Sequence, residues 1–407
     1  MANRKMIAHG MSRDDWRVPG VENYEHRSAV AQGPDDLLIF SLPLDPAYLA
    51  YREELLGFSN DNIFVTQGAG WNLAQRIAAD ENLLKILRAQ INGNGQTRFD
   101  AFYVSQHEEE LARLLGIKLF GSAALTPKVG SKSGFRELAK KAGVGLAEGF
   151  ENLDAWEVEE HARILLEQGK EVVVKDDHGV SGLNNYLISP EALTLDLTAE
   201  VGRALEATNF QIGVVEHFLP NVSGTFGVQC YISEHRNKIL HGFWRQILEG
   251  RNMEYVGSFF PNPIPETLER RIKYQCNCLM HEYRLAGWRG YLNFDFLILN
   301  DGEIIFVECN ARKSAPYYPR KFLELQGLED VCVVCKLFKS DKFKNMDFAR
   351  LVRLSEGLLY SQAKPQGIVF FNAGIMSHGQ IQVIIIGKDW RDVNFFDKAL
   401  AFRLRKA

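Results

Sequence analysis

The sequence lacks an excess of charge of either sign. It has 47 lysine and arginine residues against 51 aspartate and glutamate residues, for a net charge of −4, and this balance gives no basic field for nucleic acid. It has no apolar run near the length of about 18–20 residues that a membrane helix needs. Its first residues, MANRKMIAHGMSRDDWRV, are charged throughout, unlike the apolar core of a signal peptide. We therefore predict a cytoplasmic protein with neither nucleic-acid nor membrane partners.

Cysteine is scarce, with six residues in a chain of 407. Such a number is too low for a disulfide framework. Two pairs, Cys276 with Cys278 and Cys332 with Cys335, have spacings that resemble metal-binding pairs. No histidine cluster accompanies either pair, and the second pair lies in an apolar run. We predict buried thiols here, with a zinc site as the less favoured alternative.

Two nucleotide-binding motifs are missing or incomplete. The P-loop pattern G-x-x-x-x-G-K-[ST] does not occur. The segment QGAGWNL, residues 67–73, follows a predicted strand and opens a helix, but Leu73 stands where a dinucleotide fingerprint has its third glycine. The segment predicts a tight strand-to-helix turn, and nicotinamide binding is the less favoured alternative.

The composition that is present is typical of a globular protein, with 46% apolar and 24% charged residues. The length suffices for two or three domains. Between residues 37 and 122, predicted strands alternate with predicted helices, which favours a parallel sheet with helices on both faces. After residue 343, an amphipathic helix and two further strands predict a small α/β appendage.

Residues 291–312, YLNFDFLILNDGEIIFVECNAR, predict a β-hairpin that carries an acid in each strand. Asp301-Gly302 between apolar runs favours a two-residue type I′ turn, because both positions accept a positive φ. With that loop, Asn300 faces Glu303, and the same register continues along both strands.

This register places Asp295 directly opposite Glu308, with Asn310 on the same face. Facing like charges destabilise a sheet. Two carboxylates and an amide oxygen are, however, ligands suited to a hard cation such as Mg²⁺, which would turn the repulsion into binding. The alternative is a solvated, charged face of an antiparallel sheet in another register.

Lysines in two places are candidates for phosphate binding. Lys175 ends an apolar strand and enters a loop that contains Gly179, Ser181 and Gly182, where the backbone can approach an anion closely. Lys132 lies at the start of a predicted helix, where a positive charge opposes the helix dipole. The alternative for Lys175 is a snorkelling side chain beside an ordinary loop, and for Lys132 a solvated helix residue.

The order of these features resembles the ATP-grasp superfamily over roughly residues 121–335. The features are SKSGFRELAKKAGV around Lys132, VVVK ending at Lys175, VVEHFL around Glu216, and the ending NFD with ECNAR. The front of the chain resembles the pre-ATP-grasp domain. The tail, with GIVFFNAG and VIIIGKD, resembles the C-terminal domain of the pheganomycin-type peptide ligases.

The resemblance implies a mixed α/β and α+β fold in three parts. An α/β pre-ATP-grasp domain would occupy residues 1–120. A two-lobed ATP-grasp clamp would occupy residues 121–340, with the first lobe at about 121–210 and the second at about 211–340. A small C-terminal α/β domain would occupy residues 341–407.

The resemblance also implies roles by position. The residues implied for ATP are Lys132, Lys175, Gly179, Ser181, Gly182, Glu216 and Leu219. Those implied for Mg²⁺, with Mn²⁺ as an alternative ion, are Asp295, Glu308 and Asn310. Arg312 would steady the transferred phosphoryl group, with Lys175 and Arg289 as further catalytic candidates. Many relatives hold the ribose with an acid seven residues after the adenine-binding glutamate, but this chain has Ser223 there.

The function implied is an ATP-dependent carboxylate–amine ligase that forms an amide or peptide bond through an acyl phosphate. Its partners would be small-molecule carboxylate and amine substrates, such as an amino acid or a peptide, and a homodimer is left open. The candidates for the substrate side are His241, Trp244, Arg245 and Arg289, for which surface or packing roles are the alternative. Two other functions stay open, namely a kinase acting on a small-molecule hydroxyl and a nucleotide-binding regulator without turnover.

Overall fold

The computed structural model describes residues 4–10, 20–92, 97–178, 185–250 and 254–406, apart from the side chains of Asn92 and His241. The chain divides into two compact units. The first unit comprises Met1–Ala123, Gly257–Pro261 and Lys313–Ala407, and the second comprises Ala124–Val256 and Asn262–Arg312. These boundaries differ from those of the three domains predicted from the sequence, and the three-domain division stays a prediction.

The strands are, in chain order, β1 (Lys5–Ala8), β2 (Leu37–Phe40), β3 (Ile63–Val65), β4 (Arg98–Ala101), β5 (Lys118–Leu119), β6 (Gly149–Asp154), β7 (Val172–Asp176), β8 (Asn185–Ile188), β9 (Ile212–His217), β10 (Val222–Ile232), β11 (Asn237–Glu249), β12 (Glu254–Phe260), β13 (Gly290–Leu299), β14 (Ile304–Asn310), β15 (Cys332–Lys339), β16 (Gly367–Asn372) and β17 (Gln380–Gly387).

The α-helices are α1 (Pro46–Leu56), α2 (Leu73–Ala79), α3 (Glu81–Asn92), α4 (Gln106–Leu115), α5 (Thr126–Val129), α6 (Lys132–Ala142), α7 (Val158–Leu166), α8 (Ala192–Leu195), α9 (Leu197–Thr208), α10 (Glu266–Leu285), α11 (Tyr317–Leu325), α12 (Phe348–Leu354) and α13 (Trp390–Lys406). The 3-10 helices are Val21–Val30, Asp341–Asn345 and Gly374–His378. In the part of the chain that is described, no helix combines the length and the apolar character needed to span a bilayer.

The first unit contains the predicted parallel sheet, with strand order β3-β2-β1-β4-β5. Its strands are apolar because helices pack on them, and their side chains join those of α2, α3 and α4 in one core. Helix α4 begins with a capping box formed by Ser105 and Glu108. The same unit holds an antiparallel group in which β15 pairs with the end of β12 and with β17, which pairs with β16.

The QGAGWNL segment forms the predicted turn between β3 and α2. A Cβ atom on Gly68 would lie 2.0 Å from the backbone oxygen of Arg76. The hydroxyl of Thr66 also donates to that oxygen, at 3.0 Å. Glycine is therefore required at position 68 by close backbone packing, which is a structural role.

The second unit contains two antiparallel sheets. The smaller has the order β6-β9-β7-β8 and packs on α7 and α9. The larger has the order β14-β13-β10-β11-β12 within this unit. Its buried face packs on α6 and α10 through a core that includes Phe294, Phe296 and Phe306. The opposite face of its central strands carries the polar residues described below.

The six cysteines are free thiols. Cys230, Cys276, Cys309 and Cys335 are buried, and Cys278 and Cys332 are half-buried. Within the described ranges, no three or more histidine, cysteine, aspartate or glutamate side chains are grouped for a metal ion. A metal site built from such residues alone is therefore not found there.

Candidate active site

Asp295 on β13 lies directly opposite Glu308 on β14, as the sequence predicts. The predicted turn is wrong, because Leu299 and not Asn300 pairs with Glu303. The loop has three residues, and only Gly302 among them has a positive φ, at 84°. The side chain of Asp301 accepts from the Glu303 N–H at 2.9 Å, which stabilises this longer loop.

A β-bulge restores the predicted pairing farther from the loop. The register shifts by one residue between Asp295 and Phe296. A bulge of this kind adds one residue to one strand of a pair. The three-residue loop and the bulge offset each other, so that Asp295 faces Glu308 and Asn293 faces Asn310.

Three side-chain amides donate to the carboxylate of Asp295. Asn293 and Gln246 each reach Oδ1 at 2.9 Å, and Asn310 reaches Oδ2 at 3.0 Å. Burial, followed by the neighbouring charge of Glu308, holds the pKa of Asp295 well above its ordinary value. A divalent cation would relieve that repulsion, so the site chemistry fits such an ion.

Gly227 on β10 lies between the two strands that supply these groups. It pairs with Asp295 on one side and with Trp244 on the other. A Cβ atom on Gly227 would lie 2.9 Å from Oδ1 of Asp295. The bare backbone of Gly227 therefore leaves room for Gln246 of β11 to reach across to Asp295.

The positive charges of Lys132 and Lys175 act on the carboxylate of Glu308. Burial alone would raise its pKa, but the ammonium groups of Lys132 and Lys175, with hydrogen bonds from Asp295 and Asn310, hold the pKa below its ordinary value. Glu308 thus connects the carboxylate pair electrostatically with the two predicted phosphate-binding lysines. All of these residues belong to the second unit.

Asn310 and Arg312 extend the polar group beyond the hairpin. The amide nitrogen of Asn310 donates to Oε1 of Glu308 at 3.2 Å as well as to Asp295. Its amide oxygen accepts from Nη2 of Arg312 at 2.7 Å. The structure therefore brings together the four residues of the predicted Asp…Glu-x-Asn-x-Arg set.

Lys132 is buried at the first position of α6. Its ammonium group donates to the backbone oxygen of Asp176 at 2.7 Å. Burial lowers its pKa, while the charge of Glu308 opposes that effect. The side chain thus lies beside the end of β7, the strand that carries Lys175.

Lys175 and Glu216 form a buried ion pair. The second carboxylate oxygen of Glu216 accepts from Nη1 of Arg136 at 2.8 Å. Arg136 also donates from Nε to Glu151 at 3.1 Å and from Nη2 to the Ala147 oxygen at 3.0 Å. The residue predicted to meet the adenine amino group is therefore held by two cations in this structure.

The remaining ATP candidates lie near the end of β9 or outside the described residues. Leu219 follows β9 and is half-buried. Ser223, at the position where an acid is expected, donates its hydroxyl to the Ile298 oxygen at 2.9 Å. Gly179, Ser181 and Gly182 lie outside the described residues.

The structure does not bring the substrate candidates Arg245 and Arg289 to the carboxylate pair. Arg245 pairs with Phe226, whose neighbour Gly227 faces Asp295, so Arg245 lies on the opposite face of the sheet. Its guanidinium lies over the Phe226 ring and donates to the Ser223 oxygen at 2.8 Å. The His241 side chain is outside the described part of the chain.

The other two candidates differ in position. Arg289 donates from Nη1 to the backbone oxygens of Arg284 and Trp288, at 3.1 and 2.7 Å, beyond the C-terminal end of α10. Six residues of extended chain, about 20 Å, separate Arg289 from Asp295. Trp244, by contrast, is buried on the Asp295 face.

Sequence reasoning missed several residues of this site. Gln246 reaches Asp295, and Arg136 reaches Glu216, only through the packing of distant strands and helices, and no local pattern marks them. Asn293 had a signal, because it lies two residues before Asp295 and strand periodicity places it on the same face.

Comparison with known proteins gives one family match. A family model described as "Pre ATP-grasp domain" matches residues 25–117. These residues lie within the first unit. No curated protein matches the chain.

Several solved structures share the fold over nearly the whole chain. An ADP complex of purK, N5-carboxyaminoimidazole ribonucleotide synthetase, is 14% identical with a TM-score of 0.59, covering 98% of this chain and 96% of that one. The N5-carboxyaminoimidazole synthase of Aspergillus clavatus, with ADP and 5-aminoimidazole ribonucleotide, is 12% identical with a TM-score of 0.59, covering 98% of both chains. Biotin carboxylase of Campylobacter jejuni is 13% identical with a TM-score of 0.58, covering 96% and 89%. At sequence identities this low, the similarity shows a shared fold only.

Proposed function

We propose that this chain, whose motifs resemble the ATP-grasp superfamily and whose fold is shared with ATP-grasp structures, is an ATP-dependent ligase that joins a carboxylate to an amine. ATP would phosphorylate the carboxylate, and the amine would displace phosphate from the acyl phosphate. The products would be an amide, ADP and phosphate. The pheganomycin-type resemblance, with an amino acid or peptide as substrate, stays a prediction.

The observation that carries this proposal is the convergence of charges in the second unit. Asp295 faces Glu308, Asn310 and Arg312 adjoin them, and the ammonium group of Lys132 lies beside the end of the strand that carries Lys175. Carboxylates beside lysines suit a cation and a polyphosphate together. A purely structural ion-pair network does not need the additional facing carboxylate.

Asp295, Glu308 and Asn310 would hold Mg²⁺ in this site. Bound Mg²⁺ supplies positive charge that neutralises phosphate oxygens during transfer. Lys132 and Lys175 would contact ATP phosphates as fixed point charges. Arg312 would present its planar guanidinium to the transferred phosphoryl group, whose oxygens it can engage in pairs. The protein would thus act through positioning and charge, with little covalent work of its own.

The ion pair of Glu216 with Lys175 bears on how adenine would bind. Glu216 would accept from the adenine amino group, and the backbone at Leu219 would meet the ring edge. Because Lys175 and Arg136 already hold the carboxylate, the amino group would add a third donor to an oriented acceptor. The ribose would need a contact other than an acid at Ser223.

A second candidate is an ATP-dependent carboxylase, in which the carboxylate is bicarbonate. The full-length likeness to N5-carboxyaminoimidazole ribonucleotide synthetase and biotin carboxylase favours it. Radiolabelled bicarbonate distinguishes the two, because a carboxylase fixes the label into an acceptor amine and the ligase does not.

The test is a screen of Mg²⁺-dependent ADP release against pairs of carboxylates and amines, with mass detection of products. A ligase requires both substrates together, whereas a kinase requires only a hydroxyl acceptor. Hydroxylamine should trap the activated carboxylate as a hydroxamate. ADP formation with the true acid but without any hydroxamate would contradict an acyl phosphate.

A further inference from the structure

The N-terminus of α6 is joined to the end of β7 by contacts from two consecutive acids. The backbone N–H of Ser133 donates to Oδ1 of Asp177 at 2.9 Å, and the Ser133 hydroxyl donates to the same atom at 2.8 Å. The N–H of Lys132 donates to the backbone oxygen of Asp177 at 3.3 Å. Together with the bond from the Lys132 ammonium group to the Asp176 oxygen, these contacts hold both the backbone and the side chain of Lys132.

Helix α6 does not need Asp177 for its cap. Ser131 already caps the helix, since its Oγ accepts from the Gly134 N–H at 2.9 Å. The contact between Ser133 and Asp177 spans 44 positions in sequence, so it joins two separate elements. Its geometric effect is to fix where α6 begins relative to β7.

That position determines the place of Lys132. A lysine at the first position of a helix opposes the dipole, and a buried ammonium group loses hydration. Lys132 carries both costs in this structure, and the contacts with Asp176 and Asp177 hold it there. Asp177 is itself anchored, because its N–H donates to the Ile212 oxygen of β9 at 2.9 Å.

We propose that Asp177 is a positioning residue that holds the Lys132 ammonium group in register with Lys175 and Glu308 for the phosphates of ATP. The proposal rests on the proposed function and adds a residue that contacts none of the reactants. Because Lys175 and Asp177 are two residues apart at one strand end, any shift of α6 changes the spacing of the two lysines.

The experiment compares Asp177→Ala with Asp177→Asn in MgATP binding by calorimetry. We expect Asp177→Ala to weaken binding about tenfold, which is usual for coupled residues in contact. Asp177→Asn keeps an oxygen that accepts from Ser133 and should restore most of the affinity. The matched control is Asp196→Ala, which removes the N-cap contact to the Ala199 N–H in the same unit. It should lower the melting temperature but leave MgATP affinity unchanged.

A double-mutant cycle with Lys132→Met separates positioning from general stability. If Asp177 acts through Lys132, then Asp177→Ala adds less than about twofold to the loss caused by Lys132→Met. If the loss of MgATP affinity in the double variant equals the product of the losses in the two single variants, the proposal is overturned. Should Asp177→Ala fail to fold by circular dichroism, Ser133→Ala replaces it, with a several-fold loss expected and no loss overturning the proposal.

The wild-type measurement keeps the two proposals distinguishable. Absence of MgATP binding by the wild-type protein would overturn the proposed function, and the role of Asp177 with it. Normal binding by the wild type together with unimpaired binding by Asp177→Ala would overturn the role of Asp177 alone.

Discussion

Arg136 on α6 and Glu216 on β9 form a buried ion pair with a separation of 2.8 Å. Lys175 binds the other oxygen of the same carboxylate. Both partners of the 2.8 Å pair have side chains less than a tenth exposed, at 3% and 6%. At that burial the pair is weakly screened by solvent, so removing one partner leaves a charge that water cannot compensate fully.

Replacing Arg136 with methionine should therefore destabilise the protein by about 1.5–3 kcal/mol, the usual contribution of a hydrogen bond to a charged group, because Lys175 still neutralises Glu216. Urea denaturation measures the change. The matched control is Arg163→Met, which breaks the exposed pair with Glu159 on α7. That change should be near 0.3–0.5 kcal/mol. Equal effects of the two substitutions would contradict the assignment of Arg136 and Glu216 as a structural charge pair.

Gly227→Ala should weaken the stabilisation that Mg²⁺-ATP confers. The new methyl group would lie within 2.9 Å of Oδ1 of Asp295, so the carboxylate must move from the amides that hold it. The melting temperature of the ligand-free protein should also fall, because a buried carboxylate loses hydrogen bonds, so the ligand-induced shift is measured relative to each ligand-free protein. Gly202→Ala on α9 is the control, since no atom lies within 4 Å of its Cβ position. An undiminished ligand-induced shift in Gly227→Ala would contradict the steric role.

Asp295→Asn should leave the ligand-free protein at least as stable as the wild type. The substitution keeps the shape and removes one of two facing carboxylates, where burial, followed by repulsion from Glu308, raises the pKa of Asp295. The variant should lose most of the thermal shift from Mg²⁺-ATP, because ligand binding stabilises only in proportion to its affinity. Asp301→Asn, in the turn of the same hairpin, should keep the full shift. If Asp295→Asn also keeps it, the carboxylates belong to a solvated sheet face.

Glu25→Gln should change the pH dependence of stability between pH 4.5 and 7. Burial raises the pKa of the Glu25 carboxyl from 4.5 to about 7, against hydrogen bonds from Ser41. In this window the folded state keeps a proton that the unfolded state releases, so the wild type loses stability as the pH rises. Glutamine stays neutral and does not.

The stability difference between Glu25→Gln and the wild type should therefore grow by up to about 3 kcal/mol from pH 4.5 to 7. Comparing the two proteins cancels the opposite effect of His9 and His26, whose pKa burial lowers to about 4. Glu54→Gln, on the exposed side of α1, is the control. A difference that stays constant with pH would show that the folded protein ionises Glu25 normally.

The hairpin shows how far local sequence chemistry predicts this site. Alternation of apolar and polar residues correctly places Asp295, Glu308 and Asn310 on one face. Asp301-Gly302 correctly marks the turn, but the dipeptide fits both a two-residue and a three-residue loop. The bulge lies in the pairing of β13 with β14 next to Asp295, and no local pattern specifies it. The predicted facing pair is correct although the predicted loop is wrong.

The parts of the site that could not be predicted are contacts between distant segments. Gln246 meets Asp295 across 49 positions, and Arg136 meets Glu216 across 80. Glutamine and arginine are common on strand and helix surfaces, so their identities alone carry no signal. The resemblance to the superfamily predicted the fold because the resemblance depends on the order of several motifs along the chain. Hydrophobic periodicity predicts single strands and helices, but not how they are arranged in a fold.

The Asn310 amide uses its two ends for opposite purposes. Its nitrogen donates toward the two carboxylates, and its oxygen accepts from Arg312. A cation bound by the amide oxygen would require this group to rotate, and rotation would break that bond to Arg312. One rotation of the Asn310 side chain would then both bind the cation and release the guanidinium of Arg312. The position available to Arg312 would therefore depend on whether the cation is bound.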